Sequence, residues 1–145
     1  MLGAYHAGVA FSNSSVALVH GMSRPIGAYF HVPHGASNAV LLKVVMEFSL
    51  IGNPLRYAQI AQAMGEDISG KTDIEAAQLS VKSVDRLIKD IKVPSLRELG
   101  VDKDKLEQFA PKMTDDAIAS GSPSNNPRQA TKEEIIELYK LAYAQ

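Results

Sequence analysis

The sequence of 145 residues contains no cysteine and no tryptophan. The absence of cysteine excludes disulfides, thiolate nucleophiles and sulfur-ligated metal sites. Any metal ion must therefore be held by imidazole, carboxylate or water ligands. A chain without disulfides is typical of the cytoplasm, which is the location that we predict.

Charge is scarce in the first third of the chain. Between Met1 and Leu42 the one formally charged residue is Arg24, whereas residues 43–145 carry all the others. The four histidines, His6, His20, His31 and His34, also lie in this charge-poor segment. We expect it to be buried in a larger protein or to fold as a core around a site.

Two classes of partner are excluded by what the sequence lacks. Fifteen basic residues are balanced by sixteen acidic ones and form no stripe, so no nucleic-acid partner is predicted. The apolar start has no basic region before it and is interrupted by glycine, histidine, serine and asparagine. It is neither a signal peptide nor an uninterrupted apolar span of about 20 residues, so we expect no membrane partner.

The pattern along the chain predicts an all-α fold in a single domain covering residues 1–145. No segment shows the alternation of apolar and polar residues that is typical of a half-buried strand. Asn53 before Pro54 predicts the start of a short helix. Capping boxes predict further helical starts at Thr72 and Thr131 and a single turn at Ser95. Asp102 is expected to cap another helix, which Pro111 can divide.

The charge-poor segment itself predicts two apolar helices. Residues 4–19 have many small side chains and predict a central, tightly packed helix. Gly21 and Pro25 favour a break after His20, because glycine is typical of a helix end and proline cannot continue the hydrogen-bond ladder. Residues 27–35 are then a connection, and a second helix is predicted from about Ser37 to Phe48.

His20 and His34 are fourteen residues apart, and this arrangement places one imidazole at each of two helix ends. Neutral imidazole is a good ligand for zinc or ferrous iron, and a site between helix ends holds its ligands rigidly. The spacing alone is weak support for a metal site. Core or capping histidines explain it equally well.

Residues 7–42, AGVAFSNSSVALVHGMSRPIGAYFHVPHGASNAVLL, resemble the conserved region of the iron-containing, or group III metal-dependent, alcohol dehydrogenases. The later segment NNPRQAT, residues 125–131, resembles that family's closing motif. The resemblance implies a multi-helix bundle like the C-terminal, dehydroquinate synthase-like domain of these enzymes. The N-terminal half that binds the nicotinamide cofactor is expected to be absent.

The resemblance also implies residue roles. His20 and His34 match two metal-ligating histidines, and Phe11 matches a position that faces the substrate pocket. Arg24 replaces what is often a second histidine beside the nicotinamide. An arginine cannot shuttle protons near neutral pH, so either the shuttle is dispensable or the guanidinium binds an anionic group of substrate or cofactor. A structural ion pair of Arg24 with a missing carboxylate is the alternative.

The remaining candidates have weaker assignments. We interpret His31 as an exposed or hydrogen-bonded loop residue, although HVPH spacing allows it to join His34 at a metal. His6 is expected to pack on the first helix. The loop from Ser122 to Arg128 is either a contact of the active-site cleft or a surface turn.

The resemblance implies an NAD(P)-dependent dehydrogenase of small alcohols or aldehydes, in which a metal ion assists hydride transfer. The family completes its site with an aspartate and a histidine upstream of the matched region, and no glycine-rich cofactor loop is present here. Half a metal site, for Fe²⁺ or alternatively Zn²⁺, and no complete catalytic set are therefore expected. We predict an inactive chain that forms homo-oligomers or binds its own N-terminal half; the alternative is a free-standing helical binding module.

Overall fold

The computed structural model describes residues 1–145, which form seven α-helices and two short 3-10 turns and no strands. The all-α prediction is therefore confirmed. The helices are α1 Leu2–Ser14, α2 Leu18–Phe30, α3 His34–Ser49, α4 Pro54–Ala63, α5 Asp73–Asp90, α6 Lys103–Ala119 and α7 Lys132–Tyr143, and the 3-10 turns are Leu50–Gly52 and Ser122–Asn125.

The later helices begin where their capping residues predict. Thr72 and Thr131 form complete capping boxes at the starts of α5 and α7, because each hydroxyl accepts from the third helical N–H and a glutamate accepts in return. Asn53 caps α4, and Asp102 caps α6. α6 continues through Pro111 without division. Local signals thus account for the four helices of the charged part of the chain.

The predicted break after His20 is wrong. α2 begins at Leu18 and continues to Phe30, with Pro25 buried inside it. Gly21 ends no helix. A Cβ at this position would lie 3.0 Å from the Pro123 ring, so its missing side chain lets the second 3-10 turn pack directly on α2. The glycine is therefore explained by close packing against Pro123 rather than by the end of a helix.

The predicted central helix is also wrong in its extent and its burial. α1 ends at Ser14, and none of its residues is buried. Ser15 adopts a left-handed conformation with φ of 63°, which separates α1 from α2. Tyr5 and Phe11 keep 66% and 56% of their surface exposed. The apolar composition of this segment is real, but no other element of the chain covers it.

The main core lies between α2, α3, α6 and α7. Seventeen buried residues form it, and the hydroxyl of Tyr139 in α7 donates to the carbonyl oxygen of Met22 in α2 at 2.8 Å. A smaller cluster joins the end of α3 to α5, and α4 packs mainly on α5. The two helices that carry His20 and His34 are therefore held from several sides.

The stretch His34–Gly52 is long and apolar enough to cross a membrane, judged by length and composition alone. In the fold, 44% of it is buried inside the protein. α3 packs on α2, α5 and α7. Its apolar character is accounted for by these packing contacts.

Candidate metal and substrate site

The link between α2 and α3 folds back and brings the two candidate ligands together. His20 is the third residue of α2, and His34 is the first residue of α3. Between the helices His31 adopts a left-handed conformation, and its N–H donates to the carbonyl of Gly27. A Cβ on Gly27 would lie 3.3 Å from the carbonyl oxygen of Val32, so the link runs close along α2.

The rings of His20 and His34 are close enough to share an ion. Their centres are 5.1 Å apart and their planes are inclined by 51°. A zinc–nitrogen bond is about 2.0–2.1 Å, so two imidazoles on one tetrahedral ion have centres about 5 Å apart. The two residues therefore fit as a pair of ligands to one ion.

The electrostatic surroundings favour the neutral form of His20. Partial burial is the main cause that lowers the pKa of His20, and the charges of His34 and Arg24 lower it further. A lowered pKa leaves the imidazole unprotonated at neutral pH. The unprotonated ring is the form that ligates metals.

The pair is not a complete site by itself. No group of three or more histidine, cysteine, aspartate or glutamate side chains is placed to hold a metal together. Structural zinc sites use four protein ligands and catalytic sites three. Any ion bound firmly at His20 and His34 needs further donors, which this chain does not supply from these residue types.

Asn38 is a neighbour of the pair that the sequence interpretation missed. It lies one turn after His34 on α3, with its amide nitrogen 3.0 Å from Nε2 of His34 and 2.9 Å from that residue's carbonyl oxygen. Its Oδ1 is buried and has no hydrogen-bond partner, which is uncommon for a buried polar atom. The spacing of four residues on an otherwise apolar helix was the available signal.

Arg24 lies one helical turn after His20, on the same face of α2. Nη1 of Arg24 donates to Oγ of Ser122 at 3.2 Å. Ser122 is only 4% exposed, whereas Arg24 is exposed. The loop from Ser122 to Arg128 therefore contacts the helix that carries His20, through the side chain of Arg24.

The same loop is also fixed to the segment before α2 and to the end of α3. Nδ2 of Asn125 donates to the carbonyl of Val16 at 2.9 Å, and Nδ2 of Asn126 donates to Oγ of Ser49 at 2.9 Å. The guanidinium of Arg128 lies 3.9 Å from the centre of the Phe48 ring. These contacts make the loop part of the bundle rather than a free surface turn.

The other sequence candidates are exposed, and no third histidine joins the pair in a ligand cluster. Phe11 is exposed on α1 and shares a shallow surface with Tyr5 and Val9. His31 is exposed in the link, in agreement with its interpretation as a loop residue. The ring of His6 lies 5.7 Å from that of Tyr5 on α1. The pocket role of Phe11 stays a prediction.

Comparison with known proteins shows the family of the chain. Residues 1–143 match the sequence profile described as "Fe-containing alcohol dehydrogenase family, C-terminal". Lactaldehyde reductase of Escherichia coli K12 is 41% identical over 143 residues, which are 98% of this chain and 36% of that enzyme. The 1,3-propanediol dehydrogenase of Citrobacter freundii is 39% identical over 94% of this chain and 35% of its own length.

A solved structure shows the same fold. The crystal structure of a 1,3-propanediol oxidoreductase superimposes with a TM-score of 0.87 at 39% identity, covering 94% of this chain and 35% of that one. The chain thus spans about a third of the length of the curated relatives that it matches. It belongs to the iron-containing alcohol dehydrogenase family and corresponds to the C-terminal region of these enzymes.

Proposed function

We propose that this chain is the metal-binding, C-terminal part of an NAD(P)-dependent alcohol dehydrogenase that interconverts a small alcohol and its aldehyde or ketone in the cytoplasm. The observation that carries the proposal is the 5.1 Å separation of the His20 and His34 rings in a chain of this family. The names of the relatives, a lactaldehyde reductase and a 1,3-propanediol dehydrogenase, favour a substrate of few carbons.

In this proposal His20 and His34 donate two of the ligands to a divalent ion, iron(II) or alternatively zinc. The ion would supply Lewis-acid assistance to the alcohol oxygen, with a nicotinamide as hydride acceptor. The residues of this chain would position the ion and orient the alcohol bound to it. α2 and α3 are held by the main core, so the two imidazoles stay in a fixed relation without an ion to organise them.

The remaining ligands are expected upstream of the matched region, and the cofactor site on an N-terminal nucleotide-binding domain. With two imidazoles alone, the isolated chain is expected to bind metal weakly and to show no dehydrogenase activity. A free-standing helical binding module is the second candidate. The incomplete ligand set agrees with both candidate functions. Two experiments distinguish them.

The first test is a calorimetric titration of zinc, and anaerobically of ferrous iron, into the metal-stripped chain. Weak binding that is lost in both His20→Ala and His34→Ala supports the half-site. His31→Asn is the matched control, because it removes an exposed imidazole while keeping a residue that tolerates the left-handed conformation. Tight one-to-one binding by the chain alone would instead favour the free-standing module.

The second test supplies an N-terminal domain from a relative. This chain replaces the matching C-terminal region of Citrobacter freundii 1,3-propanediol dehydrogenase, which is 39% identical over 138 residues. We expect the chimera to reduce a nicotinamide cofactor with a small alcohol only when loaded with metal, and His34→Ala to abolish the reaction. A folded, metal-loaded chimera without activity on any alcohol would contradict the proposal.

A further inference from the structure

Arg24 is a cation without a counter-ion. It forms no salt bridge, and its one side-chain hydrogen bond goes to the neutral hydroxyl of Ser122. The first acidic residue of the sequence is Glu47, at the far end of α3. By contrast Arg86 and Arg128 pair with Glu66 and Glu134.

The position of this cation is fixed by the fold. Ser122, which accepts from Nη1, is almost fully buried, and the 3-10 turn that contains it packs on Gly21 of the same helix through Pro123. Arg24 also lies one helical turn after His20, on the same face of α2. An exposed arginine on an open surface would be free to swing away, whereas this one is anchored beside the histidine pair.

The guanidinium has donors to spare. Of its five N–H groups, one is directed to Ser122, so the others remain for a ligand. A planar fork of donors matches a carboxylate, sulfonate or phosphonate, which it can bind through two parallel hydrogen bonds. Such charge-assisted bonds are shorter and stronger than those to a neutral hydroxyl.

We infer that Arg24 binds the anionic group of the substrate, so that this dehydrogenase acts on alcohols or aldehydes that also carry a carboxylate or a similar oxyanion. The inference rests on the proposed function, because it takes the histidine pair as the place where the reacting oxygen binds. The anion is assigned to the substrate because Arg24 is one turn from His20, where the reacting oxygen would bind, and the nicotinamide ring that would face this oxygen carries no anionic group. Arg24 is thus a specificity-determining residue, with Ser122 as its positioning residue.

Binding is tested first on the chain itself, without metal or cofactor. The probes are 3-hydroxypropionate and 1,3-propanediol, which share a three-carbon chain and differ in charge. The side-chain Nε–H resonance of Arg24 is followed by NMR during each titration. We expect the hydroxy acid to shift this resonance and the diol to leave it in place. Because Arg24→Gln removes the reporting resonance, its affinity for the hydroxy acid is measured by calorimetry and should be weaker than that of the parent chain by at least about tenfold.

Arg56 provides the matched control. It is exposed on α4, its guanidinium donates to the neutral side chain of Gln59, and it forms no salt bridge. Arg56→Gln should leave the affinity for 3-hydroxypropionate unchanged. If the Arg24 and Arg56 resonances shift alike, or if neither shifts, the anion has no specific site and the inference is overturned. Circular dichroism melts check that both exposed substitutions keep the fold.

Specificity is tested in the chimera described above. We expect kcat/KM to favour 3-hydroxypropionate over 1,3-propanediol, and Arg24→His to move this ratio towards the diol by at least about tenfold, chiefly through KM for the acid. Ser122→Ala should move the ratio in the same direction by less, because the charge remains.

The outcomes separate this inference from the proposed function. A chimera that oxidises the diol and is indifferent to the charge of the substrate overturns the role of Arg24 while the function stands. A change in the preference for NADP over NAD in Arg24→His, without a change in the substrate ratio, also overturns it. A chimera inactive on every alcohol contradicts the function, and the NMR titration then decides the anion site separately.

Discussion

α1 and α5 differ in capping, in charge and in burial. α5 starts at a complete capping box, carries acidic residues in its first turn, and buries six of its eighteen residues. α1 has no side-chain cap, no charged residue and no buried residue. The more apolar helix is therefore the one outside the core. Apolar composition shows that a helix needs a partner, but it does not show that the partner is in the same chain.

The first prediction tests whether exposed α1 needs a partner, by measuring the association state of the protein. α1 leaves large apolar side chains in water, so we expect the chain to self-associate as its concentration rises. Replacing these side chains by glutamine should give a monomer in sedimentation experiments. The residues to change together are Leu2, Tyr5, Val9 and Phe11.

Leu55 and Ile60 supply the control for this prediction, because they are exposed apolar residues on α4, which packs on α5. Their replacement by glutamine should leave self-association in place. A wild-type chain that stays monomeric at every concentration would show that exposed α1 needs no partner.

A second prediction compares one leucine in each region. Leu106 of α6 is 1% exposed, whereas Leu2 of α1 is 69% exposed. Leu106→Ala removes buried methyl groups and leaves a cavity, so it should lower the free energy of unfolding by about 2–5 kcal/mol. Leu2→Ala should change it by less than about 0.5 kcal/mol. Chemical denaturation measures both, and equal losses would mean that α1 is packed in solution.

A third prediction compares two glycines. A Cβ at Gly52 would lie 2.5 Å from the carbonyl carbon and oxygen of Pro127, whereas a Cβ at Gly8 would meet nothing within 4 Å. Gly52→Ala should therefore force backbone atoms apart and lower the free energy of unfolding by about 1–3 kcal/mol.

In the same experiment Gly8→Ala should raise the helix content of α1 without changing the melting midpoint, because alanine favours helix by up to about 1 kcal/mol. Circular dichroism measures both quantities. A Gly52→Ala variant as stable as the parent would show that the loop from Ser122 to Arg128 does not pack against the first 3-10 turn.

A fourth prediction concerns the capping boxes of α5 and α7, which have no counterpart in α1. The hydroxyl of Thr72 accepts from the N–H of Glu75, whose carboxylate accepts from the N–H of Thr72 in return. Thr72→Ala should lower the free energy of unfolding by about 1 kcal/mol. Thr131→Ala, at the equivalent position of α7, should have a similar effect, and a large difference between the two would show that their helices differ in packing rather than in capping.

The smallest expected effect is a dependence of the stability on pH, through the carboxyl group of Glu75. Hydrogen bonds from the main-chain N–H of Thr72, and then from its hydroxyl, hold the pKa of Glu75 below its ordinary value. A lowered carboxyl pKa contributes stability that is present above the unfolded-state pKa and is lost as the pH falls through the folded-state value. Glu75→Gln should therefore be less stable than the parent at neutral pH. Its melting midpoint should approach that of the parent in acid, and a gap that stays constant with pH would contradict this origin.

The comparison also explains which parts of the fold were predictable. The starts of α4, α5, α6 and α7 were predictable because a cap and the N–H that it accepts from lie within one turn. The course of α2 was not, because Gly21 and Pro25 have the same local preferences in a broken helix as in one packed against Pro123. Asn38, and the contact of Ser122 with Arg24, were not predicted for a related reason, since a polar side chain shows its role only when its partner is placed beside it.

By itself the sequence determined the helical class, the capped helices of the charged region, the family, and His20 and His34 as a candidate pair. Only the tertiary structure decided that residues 31–33 fold back, that the two rings lie 5.1 Å apart, and that Arg24 is anchored on Ser122, 98 positions away. It also decided that α1 is left uncovered. The physical reason is range: caps and periodicity act within a few residues, whereas burial and the meeting of side chains depend on elements far apart in the chain.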